Sequence, residues 1–157
     1  MSRSYKHISE RINQEEKAIN WFIQEKGLDP FRPAKTRYSA IDGLMMSGLT
    51  EYLVEIKVRK RFHSDIIKTM GGAYVEFKKV EGIRRFQHKW QKNYLKMPIL
   101  YFNFFSDCLE IYRLTSDPTK YKWELKMLQK DDYHTKLKEY KFVSFLNESN
   151  LIERIYY

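Results

Sequence analysis

The stretch RYSAIDGLMMSGLTEYLVEIKVRK, residues 37–60, constrains the fold more than any other part of the chain. Two apolar-rich segments separated by Gly43, Ser47 and Gly48 predict two strands, 37–44 and 50–59, joined by a turn. In the second strand side chains alternate, so Val54, Ile56 and Val58 point one way and Leu53, Glu55, Lys57 and Arg59 the other. The expectation is one core face and one charged face. The first strand ends its apolar pair Ala40-Ile41 at Asp42, followed by Gly43, which permits a tight bend or the close approach of another backbone.

An antiparallel pairing of these strands brings Asp42 beside Glu55 and Lys57. Two adjacent carboxylates raise each other's pKa unless a cation lies between them. Hard oxygen donors select a hard divalent cation, with Mg2+ the first expectation and Mn2+ the second. A lysine on the same face is then placed to orient a water or to stabilise negative charge developing on a phosphate.

The spacing D-x12-E-x-K at Asp42, Glu55 and Lys57 resembles the core of the PD-(D/E)XK nuclease superfamily, which includes restriction enzymes, Holliday junction resolvases and many phage nucleases. The resemblance covers roughly residues 14–114. It implies a restriction-endonuclease-like α/β fold with the order α-β-β-β-α-β, a mixed central sheet flanked by helices, and extra C-terminal strands from 115–157. It also implies a metal-dependent deoxyribonuclease, with Asp42, Glu55 and the Ile56 carbonyl as metal ligands and Lys57 as a catalytic group. Two further catalytic positions are implied. Glu16, on the first helix in a pattern similar to the resolvase-like branch, leans toward the metal. Lys78 or Lys79, at a later strand-to-helix junction, supplies another lysine, with Lys78 taken as the catalytic one.

A competing register exists, because Glu76-Phe77-Lys78 with Gln87 downstream resembles the virus-type replication-repair branch, in which Asp65 or Asp42 supplies the metal-binding Asp. The Glu55/Lys57 reading is preferred, since residues 52–58 form the longer alternating strand and directly follow the strand carrying Asp42.

A chain of 157 residues suits one domain. With 43% hydrophobic residues and 16% aromatics it carries enough apolar mass for a packed core, unlike a disordered chain. The formal charge of +9 points to a polyanionic partner, most simply DNA, although a plain basic protein would have the same balance. Arg37, Arg59, Lys60, Arg61, Lys79, Arg84 and Arg85 are the candidate phosphate contacts. Cys108 is the sole cysteine, and His7, His63, His88 and His134 lack zinc spacing, so neither a disulfide framework nor a zinc centre is expected. The polar start and the lack of a spanning apolar run predict a cytoplasmic protein without a membrane partner, in a host cytoplasm if the phage-like resemblance holds.

Along the chain, residues to 13 read as a polar lead-in and 14–26 as an amphipathic helix built on Ala18, Ile19, Phe22 and Ile23 and closed by Gly27. The prolines of 28–35 form a connector. After 62–64 a loop or flap is expected, then a short strand at 73–77, a basic helix over 78–94 and a buried strand at 98–105. Its hairpin partner follows at 108–114. Alternation at 121–127 and 140–146 predicts two more strands, whose Trp123 and tyrosines either form a homodimer contact or cap the sheet.

Overall fold

A computed structural model describes residues 3–34, 40–89, 97–129 and 138–157, with side chains described from residue 10. The first helix, α1, runs Arg3–Lys26, eleven residues longer toward the N-terminus than apolar periodicity alone indicates. No Pro or Gly interrupts 3–26, and the Arg11–Glu15 pair, at 3.7 Å and one helical turn apart, spans the expected start. Gly27, at φ 62°, ends it, with Leu28 N donating to Ile23 O at 3.0 Å.

A two-residue strand β1 (Arg32–Pro33) leads to the hairpin β2 (Gly43–Ser47) and β3 (Thr50–Arg59). Ser47 pairs with Thr50, leaving Gly48-Leu49 as the loop. Gly48 has φ 63° at the first loop position, the arrangement favoured by a II′ hairpin turn. Gly43 thus belongs to the strand rather than the turn. Its reason is close approach: a Cβ there would lie 2.4 Å from the Arg32 carbonyl oxygen of β1.

The segment expected as a flap contains a short helix α2 (Ser64–Thr69), followed by β4 (Tyr74–Glu76) and helix α3 (Phe77–Lys89). Asp107 holds the start of α2 by accepting from Ser64 N at 2.7 Å and Ser64 Oγ at 2.5 Å. The expected continuation of α3 to 94 falls outside the described residues. The strands β5 (Ile99–Phe105) and β6 (Cys108–Leu114) then form the expected hairpin, and β5 runs parallel to β3. A 3-10 turn at Pro118–Lys120 precedes β7 (Glu124–Gln129), β8 (Lys138–Phe145) and β9 (Leu151–Tyr156).

The molecule is α/β, with a mixed six-stranded sheet ordered β1-β2-β3-β5-β6-β9. A second, three-stranded sheet, ordered β4-β8-β7, takes the strand expected third in the central sheet. A short strand with one free edge pairs with the C-terminal β8 instead of joining β3, whose two edges are filled by β2 and β5. Strand β9 had no sequence counterpart, because its Ile152, Glu153 and Arg154 do not alternate cleanly.

Both faces of the main sheet are covered. Ala18, Ile19, Phe22 and Ile23 of α1 pack on Val54, Ile56, Leu100, Phe102 and Phe104. On the other face Val80 and Ile83 of α3, Ile67 of α2 and Val75 of β4 pack on Leu53, Ile99, Tyr101 and Phe105. This revises the expectation of a charged, open face on β3. Leu53 to Ile56 are buried consecutively, so Glu55 lies within the protein while Lys57 and Arg59 are half-buried. Trp123 caps this core, with its ring 5.0 Å from Phe77 and its Nε1 donating to Pro118 O at 2.8 Å.

Candidate active site

The hairpin delivers Asp42 to β3 by backbone pairing. Asp42 N donates to Val54 O at 2.9 Å, and Ala34 N donates to Asp42 O at 2.8 Å. The side chain is then fixed in turn, with Oδ2 accepting from Ile56 N at 2.7 Å. An extended residue turns its N–H and C=O to the same side of the strand, which puts the Ile56 carbonyl on the edge of β3 from which its N–H meets Asp42. The Ile56 side chain goes to the α1 core.

Glu55, between Val54 and Ile56, is 3% exposed. Burial first, and the Asp42 charge second, push its carboxyl up to about 8, against the pull of Lys79 and Lys57. Its two oxygens differ. Oε1 lies 2.8 Å from Lys79 Nζ, while Oε2 is buried with no hydrogen-bond partner among the described residues. An unmatched buried carboxylate oxygen costs about 1–3 kcal/mol or more, and such an atom calls for a partner. Lys57 follows on the same face and is half-buried, with its charge acting on Glu55.

From α1 the acidic group that reaches this cluster is Glu15, not Glu16. Glu15 is coupled to Asp42, Lys57 and Lys79, and burial followed by Asp42 pushes its carboxyl up to about 7. Ala18, Ile19 and Phe22 lie three, four and seven positions after Glu15, which centres it on the buried stripe. Glu16 lies 100° further round.

A similar one-residue correction applies at α3. Lys79, four before buried Ile83, reaches Glu55 and also lies 3.5 Å from Ala40 O, whereas Lys78 is exposed. For the alternative register, Glu76 sits in the smaller sheet and pairs with Lys141 at 3.0 Å, and Asp65 is an exposed partner of Lys68. Gln87 is buried, with Nε2 donating to Met97 O at 3.5 Å.

The candidate phosphate contacts divide. Lys60 and Arg61 are exposed at the end of β3. Arg84 makes two 3.1 Å bonds to Glu81, and Arg85 is largely exposed beside it. Arg59 is instead half-buried against Tyr74, Tyr101 and Asn103. Arg37 lies outside the described residues.

Glu15, Asp42, Glu55, Lys57 and Lys79 therefore form one electrostatic cluster from four segments of the chain. Among the described residues no group of three or more His, Cys, Asp or Glu is gathered closely enough to form a metal ligand set by itself. Among them, too, no helix is long and apolar enough to cross a membrane. Neither a protein-family model nor a curated protein matches this chain.

Proposed function

We propose that the chain is a metal-dependent deoxyribonuclease built on a restriction-endonuclease-like core, as the D-x12-E-x-K resemblance implies. The observation that carries this reading is the buried, unpartnered Oε2 of Glu55 on a carboxylate adjoining Asp42. Asp42, Glu55 and the Ile56 carbonyl are the groups that would hold Mg2+ or Mn2+. Their small number suits Mg2+, which is commonly held by one or two carboxylates with substrate phosphates and waters completing the shell. When bound, such an ion supplies charge to phosphoryl oxygens and lowers the pKa of water.

The remaining roles belong to the chain. Lys57, on the face of Glu55, donates to the attacking water or to the phosphoryl oxygen on which charge grows during in-line attack. Glu15, with a carboxyl near 7, accepts a proton close to neutral pH. Lys79 keeps the Glu55 side chain in place through Oε1. The exposed Lys60, Arg61 and Arg85 and the +9 charge favour DNA as the partner.

One observation favours a second reading, a nucleic-acid-binding or assembly module without turnover. Lys79 already gives Glu55 a cationic partner at 2.8 Å, as in a structural ion pair. Incubation with plasmid, single-stranded and branched DNA, in Mg2+, Mn2+ or EDTA, beside Lys57→Ala, separates the two. The nuclease reading expects cleavage that needs metal and Lys57. Salt-sensitive binding without cleavage supports the second reading.

A further inference from the structure

Several charged side chains along the sheets are paired with opposite charges. Lys79 meets Glu55, Lys141 meets Glu76 at 3.0 Å, and Arg154 meets Glu110 at 2.9 Å and Glu148 at 3.1 Å. Arg59 differs. Its Nη1 donates to Asn103 Oδ1, its Nη2 donates to Tyr101 Oη at 3.4 Å, and its Cζ lies 5.1 Å from the centre of the Tyr74 ring. Every one of these partners is neutral, and among the described residues no carboxylate is paired with Arg59. Tyr101 is itself held, donating to Tyr74 O at 3.1 Å. A guanidinium stays charged at any physiological pH, so a half-buried one with neutral partners is short of counter-charge.

Asn103 is 0% exposed and supplies the second sign. A guanidinium only donates, so the amide must turn Oδ1 toward Arg59 and leave Nδ2 beside it. That Nδ2 has no acceptor among the described residues. The neighbouring Glu110, paired with Asn103 across β5 and β6, is engaged by Arg154 and by Tyr112 Oη at 2.6 Å.

We propose that Arg59 is the seat of a second phosphodiester group of a bound nucleic-acid strand, with Asn103 as the positioning residue that aims its guanidinium. The inference rests on the nucleic-acid reading of the Asp42/Glu55/Lys57 site. Lys57 and Arg59 are alternate residues on one face of β3, about 6.7 Å apart along the strand. That is the order of separation between neighbouring phosphates of one nucleic-acid strand. The guanidinium fork suits two phosphate oxygens, and Lys60 and Arg61 continue the positive track beyond it.

The test is oligonucleotide binding to the full chain in EDTA, followed by fluorescence anisotropy across a salt series. Arg59→Met is expected to bind roughly ten- to a hundredfold more weakly, with a log-log salt slope shallower by about 0.7 to 0.9. Arg59→Lys, which keeps charge but loses the fork, falls between it and the wild type. Asn103→Asp supplies an internal counter-ion, so it is expected to bind more weakly. Lys120→Met removes an equal charge from the exposed 3-10 turn and is expected to leave affinity unchanged. A folded Arg59→Met or Asn103→Asp that binds like the wild type, while Lys60→Met is weakened, overturns the inference alone. Failure of the wild-type chain to bind any oligonucleotide removes the nucleic-acid reading with it.

Discussion

Replacing Glu55 with Gln separates the cost of its charge from the space it fills. Its carboxyl is buried, lies beside Asp42, and is pushed from 4.5 up to about 8. At about 1.4 kcal/mol per unit of pH, the ionised form is disfavoured in the folded protein by a few kcal/mol. Because the folded state binds the proton more tightly, this group's stabilising contribution is complete below about 4.5. It is lost as pH rises through the window from 4.5 to about 8. Denaturant unfolding in EDTA at pH 5 and pH 9 reads this directly. The wild type is expected to lose stability between the two, and Glu55→Gln to lose less, because an amide does not titrate. An ion held by Asp42 and Glu55 would reverse the loss: at a hundredfold excess over its dissociation constant, Mn2+ stabilises by about 2.7 kcal/mol. The variant is expected to forfeit most of that gain. Parallel pH profiles for the two proteins, or equal stabilisation of both by Mn2+, would refute the assignment of Glu55 as a strained carboxylate awaiting a cation.

Lys57→Ala is expected to reduce metal-dependent DNA cleavage by about a hundredfold or more while leaving binding within a few-fold, measured by single-turnover kinetics. Glu15→Gln is expected to lower cleavage and flatten its pH profile around 7, and Glu16→Gln to leave both unchanged; the reverse ranking would restore Glu16. Gly43→Ala forces a Cβ against the Arg32 carbonyl, so β1 must shift and carry Asp42 with it. A fall in both melting temperature and Mn2+ response is expected. Arg154→Met leaves the buried Glu110 carboxylate with Tyr112 Oη as a remaining partner, with an expected loss of about 1–3 kcal/mol in denaturant unfolding.

The division between what was legible and what was not follows the range of the forces. The Asp42 and Glu55 placement was legible because a hairpin is local: Gly48 sets the turn, and the pairing register then carries Asp42 to Val54 and Ile56. The α1 stripe and the β5-β6 hairpin were legible for the same reason, since periodicity and a short turn specify them within a few residues.

The choices between Glu15 and Glu16 and between Lys78 and Lys79 were different in kind. Adjacent helical residues diverge by 100°, and only the rotation at which α1 and α3 dock on the sheet decides which one reaches Glu55 and Asp42.

The sequence by itself determined the buried stripe of α1, the strand β3, the β5-β6 hairpin, and the Asp, Glu and Lys that lie just before and on the β2-β3 hairpin. Tertiary structure alone decided that β4 leaves the central sheet for β8, that Leu53 to Ile56 are covered on both sides, and that Arg59 meets neutral partners among the described residues. Those outcomes depend on contacts between residues tens of positions apart, whose competition no local pattern encodes. Burial of the Glu55 carboxylate exists only once both layers have closed over the sheet.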